Sequence, residues 1–189
     1  MEFHRTQLED AWLISADPHV DDRGFFARVR CANEFESVGI SERFVQTSLS
    51  HNNAAGTFRG LHYQVPPSSE AKLVRVIAGA VDDVIVDLRP DSPTFLRHQW
   101  FRLSADNLKG LYVPPGFAHG YLTVVDRTTL LYEMTDFYAP DVYRGVRWSD
   151  PLLSIEMTGP VNVINERDEG YPDIVPSDLD CFRMAAGES

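Results

Sequence analysis

Apolar and polar residues alternate in short runs along most of this chain. The segment from Ala71 to Ala78 shows the pattern, Gly79-Ala80 predicts a turn, and a second apolar run follows over 81–88. A period of two places successive side chains on opposite faces of a β-strand. The same reasoning predicts strands over 24–30, 44–50, 58–64, 98–103, 109–113, 119–125 and 129–136.

The segments between these strands favour an all-β fold. The strands recur about every 10–12 residues with Gly, Pro, Asn and Asp between them, which is typical of an antiparallel sandwich or barrel. Helical candidates are short, at 32–37 and somewhere within 165–182. We therefore predict one domain over residues 1–189, with a core at about 12–164 and a C-terminal extension at about 165–189.

The composition argues against several classes of partner. The formal net charge is −11, whereas a surface that binds nucleic acid is basic. No apolar run reaches the ~20 residues of a membrane span, and the N-terminus leads into no signal-peptide core. Cys31 and Cys181 lack the spacing of a zinc site. We expect a cytoplasmic protein with no nucleic-acid partner and no membrane partner.

Basic residues of the first half stand out in this acidic chain. They are Arg23, Arg28, Arg30, Arg59, Lys72 and Arg75. If they surround one pocket, they predict a small anionic ligand such as a nucleotide or a phosphate. If they are scattered, they are ordinary solvated charges, and the sequence alone leaves both interpretations open.

His62 is the leading candidate for chemistry. An imidazole is the side chain whose unperturbed pKa of ~6.5 suits it to act as a base at neutral pH. Strand alternation predicts that Phe58, Gly60, His62 and Gln64 share one face, so that His62 and Gln64 would line a polar pocket. The competing interpretation is a histidine that only satisfies local hydrogen bonds.

A metal site is not favoured, although His62 and His119 are spaced like the two motifs of metal-binding cupins. Gln64 stands where such a site has its second histidine, and the ammonium of Lys72 would oppose a cation. The chain also lacks a phosphate-binding P-loop, a GxGxxG turn, an HExxH pair and a GxSxG elbow. We therefore expect no metal and no cofactor.

The remaining groups suit proton transfer beside a carbonyl. A neutral imidazole at His62 can remove a proton α to a ketone, while the cation of Lys72 stabilises the enolate oxygen. Returning a proton to the opposite face inverts the carbon. A tyrosine stays protonated at neutral pH and can donate that proton, and Tyr132 and Tyr138 are the candidates. Each of the two could instead serve only in packing.

Eight motifs along the chain resemble those of the dTDP-4-dehydrorhamnose 3,5-epimerase family, over about residues 12–176. They are Asp21-Asp22-Arg23-Gly24-Phe25-Phe26, Arg59-Gly60-Leu61-His62-Tyr63-Gln64, Ala71-Lys72-Leu73-Val74, Gly79-Ala80-Val81-Asp82-Asp83-Val84, Asp87-Leu88-Arg89, Ser92-Pro93-Thr94-Phe95, Pro115-Gly116-Phe117-Ala118-His119-Gly120-Tyr121 and Trp148-Ser149-Asp150-Pro151. The resemblance implies a cupin-type jelly roll, a homodimer, and cofactor-free inversion of carbons in a nucleotide-linked 4-keto-6-deoxy-hexose.

The resemblance also implies catalytic roles. His62 would be the base, Asp168 would orient its imidazole, Lys72 would match the family's lysine and Tyr132 its acid. Tyr138 would line the sugar site and decide whether the second carbon is inverted.

Substrate contacts follow from the same resemblance. Arg23, Arg59 and His119 would hold the diphosphate or nearby sugar groups, Phe26 would stack on the base, and Gln46 would help to place the nucleoside. We add Gln64 and Tyr143 as predicted substrate contacts.

Three positions depart from the family pattern. Arg28 and Tyr143 replace glutamates, and Ser48 replaces an asparagine. All three lie toward the nucleotide end, so the chemistry is better supported than the thymidine. Alternatives are an epimerase acting on one carbon, an epimerase for a GDP-, CDP- or UDP-sugar, a 3,4-ketoisomerase, and a jelly roll that binds a sugar nucleotide without catalysis.

Overall fold

The computed structural model describes residues 1–183 and consists mainly of short strands. Thirteen strands follow one another along the chain: β1 (Glu2–Arg5), β2 (Trp12–Ser15), β3 (Pro18–Asp21), β4 (Gly24–Ala27), β5 (Gln46–Asn52), β6 (Phe58–Gln64), β7 (Lys72–Ala78), β8 (Ala80–Asp87), β9 (His98–Ser104), β10 (Lys109–Val113), β11 (Phe117–Thr123), β12 (Thr128–Met134) and β13 (Tyr143–Gly145). The helices are α1 (Ala32–Glu36), α2 (Glu166–Glu169) and a 3₁₀ helix (Pro176–Phe182).

Two antiparallel sheets form a jelly roll. The six-stranded sheet has the order β1-β2-β10-β7-β12-β5, and the five-stranded sheet has the order β13-β6-β11-β8-β9. Strands β3 and β4 form a separate hairpin. Buried apolar residues from both larger sheets pack between them, including Val74, Leu111 and Leu130 from one sheet and Ile85 and Phe117 from the other. The predicted cupin-type all-β fold is therefore confirmed.

The outer faces of both sheets are partly covered. Phe35 of α1 and Ile40 pack on the six-stranded sheet. Leu153 and Leu179, from the C-terminal segment, pack on the five-stranded sheet beside Leu61 of β6. The predicted helical segments within 32–37 and 165–182 are therefore present, and they serve as covers. The last part of the predicted extension, residues 184–189, lies outside the described residues.

Strand β6 contradicts the predicted face alternation. Phe58 and Leu61 pack on the outer cluster of the five-stranded sheet, whereas Arg59 and His62 line an internal cavity. The pairing of β6 with β11 is irregular between His119 and Tyr121. Simple alternation holds only for a regular strand, so this irregularity redirects the side chains that follow it.

Gly60 lies at that irregularity. Its φ is +139°, and a Cβ built there would lie 2.6 Å from the Cα of Gly120 on β11. A residue with any side chain would therefore combine an unfavourable backbone conformation with a backbone clash. The close approach of the two glycines explains why the motif needs Gly at this position.

Among residues 1–183, no helix has both the length and the apolar character that a membrane span requires.

Candidate active site

A cavity of about 520 Å³ opens between the two sheets. Strands β5, β7 and β12 of one sheet and β6 and β11 of the other supply much of its wall. Its lining combines cationic, phenolic and imidazole side chains: Gln46, Ser48, Ser50, Arg59, His62, Glu70, Lys72, His119, Tyr121, Tyr132, Met134, Tyr138, Tyr143 and Arg167. The sandwich therefore gathers eight of the twelve predicted site residues around one space.

His62 is paired with a fully buried carboxylate. Its Nε2 lies 2.9 Å from Oδ1 of Asp168, and the backbone N–H of Gly60 donates to Oδ2 of the same carboxylate at 3.1 Å. Asn165 caps α2 by accepting the N–H of Asp168 at 2.6 Å. A short C-terminal helix thus delivers Asp168 to a strand more than 100 residues earlier, and the structure brings together the predicted pair.

The protonation states of this pair follow from their surroundings. Burial lowers the pKa of His62 below its ordinary 6.5, and Asp168 opposes this shift without overcoming it. Burial alone would raise the pKa of Asp168, but the hydrogen bonds from His62 and Gly60 hold it below its usual value. An ionised carboxylate only accepts, so Nε2 carries the proton and Nδ1 is left as the basic nitrogen.

Lys72 lies at the floor of the same cavity. Its Nζ is 3.1 Å from Oε1 of Glu70 and donates to the carbonyl oxygen of His62 at 3.4 Å. Both side chains of the ion pair are about nine-tenths buried. The ammonium is therefore held beside the backbone of the candidate base, where an anionic oxygen of a ligand could contact it.

A second imidazole–carboxylate pair faces the cavity. Nε2 of His119 lies 2.9 Å from Oδ2 of Asp83, which is completely buried. The ring of Tyr132 packs edge-on to His119, with 5.7 Å between centroids. Burial raises the pKa of Tyr132 well above its ordinary value, so this phenol stays protonated. His62 and Tyr132 belong to different sheets and thus to opposite walls of the cavity.

Aromatic residues form the rim next to His62. Tyr143 lies 5.4 Å from the His62 ring and 5.3 Å from the Tyr138 ring, centroid to centroid. The guanidinium of Arg167 covers the Tyr143 ring at 5.4 Å. The Gln46 side chain accepts the backbone N–H of Tyr138 at 3.1 Å. Three predicted contacts, Gln46, Tyr138 and Tyr143, therefore occupy neighbouring parts of the cavity mouth.

Three predicted substrate contacts do not line this cavity. Gln64 is buried, and its amide is used by backbone groups of Ser68, Phe137 and Ala139 at the end of β6, so it holds these neighbouring segments instead of lining the cavity. Arg23 pairs with Asp21 inside the β3–β4 hairpin. The Phe26 side chain, on the same hairpin, is 76% exposed, because the hairpin stands apart from the sandwich.

The sequence analysis missed several cavity residues. Glu70 could have been found, since it lies two positions before Lys72 and side chains two apart point the same way in extended chain. Arg167 adjoins Asp168, which had been singled out. The same rule reaches Tyr121, two positions after His119 on β11, and Ser50, two positions after Ser48 on β5.

The fold and the site together define the class of protein. A jelly roll whose cavity holds a carboxylate-oriented imidazole, an ammonium and a protonated phenol is equipped for proton transfer at carbon. A family model described as dTDP-4-dehydrorhamnose 3,5-epimerase matches residues 5–175. The chain belongs to this family of carbohydrate epimerases, and it is an isomerase.

Relatives support the assignment along nearly the whole chain. The dTDP-4-dehydrorhamnose 3,5-epimerase of Pseudomonas aeruginosa is 39% identical over 184 residues, covering 96% of this chain and 99% of the relative. A crystal structure of the Bacillus anthracis enzyme with TDP and PPi bound is 40% identical, with a TM-score of 0.88 over 92% of this chain and 99% of that chain.

A third comparison concerns a sugar nucleotide. The Legionella pneumophila dTDP-6-deoxy-D-glucose-3,5-epimerase was solved in complex with dTDP-4-keto-L-rhamnose. It is 34% identical, with a TM-score of 0.88, and the match covers 94% of this chain and 96% of that chain.

Proposed function

We propose that the protein inverts C3 and C5 of dTDP-4-dehydro-6-deoxyglucose to give dTDP-4-dehydrorhamnose, without a cofactor. The observation that carries this proposal is the His62–Asp168 pair, which shares a cavity with Lys72 and Tyr132. Protons α to a ketone are acidic enough for an imidazole once the enolate is stabilised, so these side chains suffice for the reaction.

Each inversion then has three parts. Nδ1 of His62 removes the proton, and Asp168 stabilises the imidazolium that forms. The ammonium of Lys72 stabilises the negative charge on the former ketone oxygen. Tyr132 returns a proton from the opposite wall, so the carbon is reprotonated on the other face. Tyr138 at the mouth contacts the sugar and influences whether the second carbon is reached.

The nucleotide part of the substrate occupies the mouth and the Arg59 side of the cavity. Arg59 and His119 contact the diphosphate or adjacent sugar groups, and Gln46 and Tyr143 contact the nucleoside end. The altered residue Ser48 lines the cavity, whereas Arg28 pairs with Glu34 beyond it. Ser48 and Tyr143 are therefore the departures that bear most directly on nucleotide choice.

Proton NMR of the purified protein with dTDP-4-keto-6-deoxyglucose in D₂O tests this function. We expect deuterium at C3 and at C5 and formation of the rhamno product, with none in the His62→Ala variant. Uptake at C3 alone would indicate a mono-epimerase, and a 3-keto product would indicate a ketoisomerase. Binding of dTDP without exchange would leave a binding protein, and no binding would call for trials of GDP-, CDP- and UDP-sugars.

We further propose a homodimer in which the β3–β4 hairpin reaches the partner's cavity. The hairpin exposes Val20, Phe25 and Phe26 by 60–76%, and the Arg23 side chain on it pairs with Asp21 of the same hairpin. Exposed apolar groups of this size are characteristic of interaction sites. Insertion into a second copy would place Phe26 and Arg23 at a substrate.

Mixing two inactive variants tests the dimer. In a heterodimer of His62→Ala with the Arg23→Ala/Phe26→Ala double variant, one of the two sites has every residue. Equal mixing after subunit exchange should restore about a quarter of wild-type activity, from the statistics of a two-fold dimer. A mixture as inactive as its components would contradict the shared site.

We also propose a single-domain protein of the cytoplasm. The C-terminal segment packs on the five-stranded sheet through Leu153 and Leu179, which favours one folding unit. Both cysteines are free thiols, as is usual in a reducing compartment. Cooperative unfolding with coincident fluorescence and circular dichroism transitions tests the single domain, and cell fractionation tests the location.

A further inference from the structure

Asn52, at the end of β5, connects three cavity-side groups through one buried side chain. It is 2% exposed. Its Oδ1 accepts from Nε of Arg59 at 2.9 Å and from the hydroxyl of Tyr121 at 3.2 Å. Its Nδ2 donates to the backbone carbonyl of Thr128 at 3.2 Å. Ser50 lies 2.8 Å from the Tyr121 hydroxyl and completes the network.

The orientation of the Asn52 amide is fully determined. The Thr128 carbonyl can only accept, so it requires the NH₂ group on its side. Oδ1 must then face Arg59, whose guanidinium can only donate. Because the Tyr121 hydroxyl donates to Asn52, it is left to accept from Ser50. Each polar group has a complementary partner, so the amide cannot flip without breaking several hydrogen bonds.

This orientation controls how Arg59 presents its guanidinium. Asn52 holds Nε, and the carbonyl of His51 accepts from Nη2 at 3.4 Å. One edge of the planar fork is therefore occupied by the protein. Arg59 lines the cavity, and the terminal nitrogens on its other edge can face an anion. A phosphate group is bound best by a guanidinium whose plane is set in advance.

We propose that Asn52 is a positioning residue that sets Arg59 for the diphosphate of the substrate, which rests on the phosphate contact of Arg59 proposed above. Asn52 itself does not touch the ligand. Without it, Arg59 keeps its charge but samples several rotamers, and binding must then restrict them. The loss should fall on the affinity for phosphate-bearing ligands and leave proton transfer at saturation nearly unchanged.

Isothermal titration calorimetry with dTDP and with thymidine tests this role. Losing a hydrogen bond to a charged group predicts about tenfold weaker dTDP binding for Asn52→Ala. Thymidine has no phosphate, so its affinity should be unchanged. Asn53→Ala is the matched control, because the neighbouring side chain is exposed. If the alanine variant does not fold, Asn52→Ser replaces it in the titration, and it should also lower the affinity for dTDP.

A double-mutant cycle with Arg59→Ala separates positioning from general structural support. If Asn52 acts through Arg59, Asn52→Ala should have no further effect on dTDP affinity in the Arg59→Ala background. Independent, additive losses would overturn the proposal, as would unchanged dTDP affinity in Asn52→Ala or an equal loss for thymidine. If Arg59→Ala alone leaves dTDP affinity unchanged, the proposed phosphate contact of Arg59 is itself wrong.

Discussion

Replacing Asp168 by asparagine should impair the enzyme more than replacing it by alanine. The reason lies in the two hydrogen bonds of the carboxylate; Nε of Arg167 also lies 3.5 Å from Oδ1, but this side chain is largely exposed and can turn away into solvent. Oδ2 accepts the N–H of Gly60 at 3.1 Å, and Oδ1 faces Nε2 of His62 at 2.9 Å. In Asp168→Asn, the amide NH₂ cannot face the Gly60 N–H, so the amide oxygen stays there and the NH₂ points at His62. Nε2 must then accept, and the ring proton moves to Nδ1.

A proton on Nδ1 blocks the nitrogen that should act as the base. In Asp168→Ala neither tautomer of His62 is enforced, so Nδ1 remains free in part of the molecules. The main loss is one charge-assisted hydrogen bond to the imidazolium, worth about 1.5–3 kcal/mol or roughly 10–150-fold in rate. The asparagine variant adds the cost of the wrong tautomer. By analogy with other oriented imidazoles, we expect a total loss of about 10³–10⁴-fold.

The assay is deuterium incorporation from D₂O under saturating substrate, compared for wild type, Asp168→Ala and Asp168→Asn. Thermal unfolding of the three proteins serves as the control. It detects any loss of stability in Asp168→Ala, where the buried N–H of Gly60 loses its acceptor. An asparagine variant that exchanges as fast as the alanine variant would refute the tautomer argument. Wild-type exchange in both would show that Asp168 does not act through His62.

Three further outcomes follow from the same geometry. Tyr132→Phe should slow epimerisation by about 10²–10⁴-fold while deuterium exchange persists, because the base is intact; NMR measures both. Burial lowers the pKa of His62 below 6.5, so kcat/KM should stay constant as the pH falls to 6.5 and decrease only below it. Because Asp168 raises the pKa of His62, this decrease should begin at a lower pH in Asp168→Ala. Gly60→Ala should destabilise the fold by about 3 kcal/mol or more in urea unfolding, whereas Gly24→Ala, at a φ of +123° with open space around its Cβ, should cost clearly less.

Much of the fold could be predicted from the chain because its strands are long enough to alternate. The strands at β7, β8, β9, β10 and β12 were predicted within one or two residues at each end. Strands β1, β2, β3 and β13 were not predicted, since runs of three or four residues carry too little periodicity. The predicted strand at 24–30 ends at Ala27 and belongs to the isolated hairpin.

The candidate site likewise contains residues that the sequence could predict and residues that it could not. His62, Lys72 and Tyr132 were accessible from residue chemistry and from family motifs. Asp168 was located by a short motif match, although its contact spans 106 positions. Gln64 does not line the cavity, because backbone groups of Ser68, Phe137 and Ala139 occupy its amide, and two of these three residues lie more than 70 positions away. The network around Asn52 was also out of reach, because Tyr121 and Thr128 come from distant strands.

The sequence by itself determined the all-β class, the family and the chemical identity of the candidate base, cation and acid. These follow from local periodicity and from residue types in a recognisable order. Only the tertiary structure decided which nitrogen of His62 is free, which wall carries Tyr132, and which side chains orient Arg59. Those properties depend on distances between segments far apart in the chain, and they are set when strand pairing and packing bring the segments together.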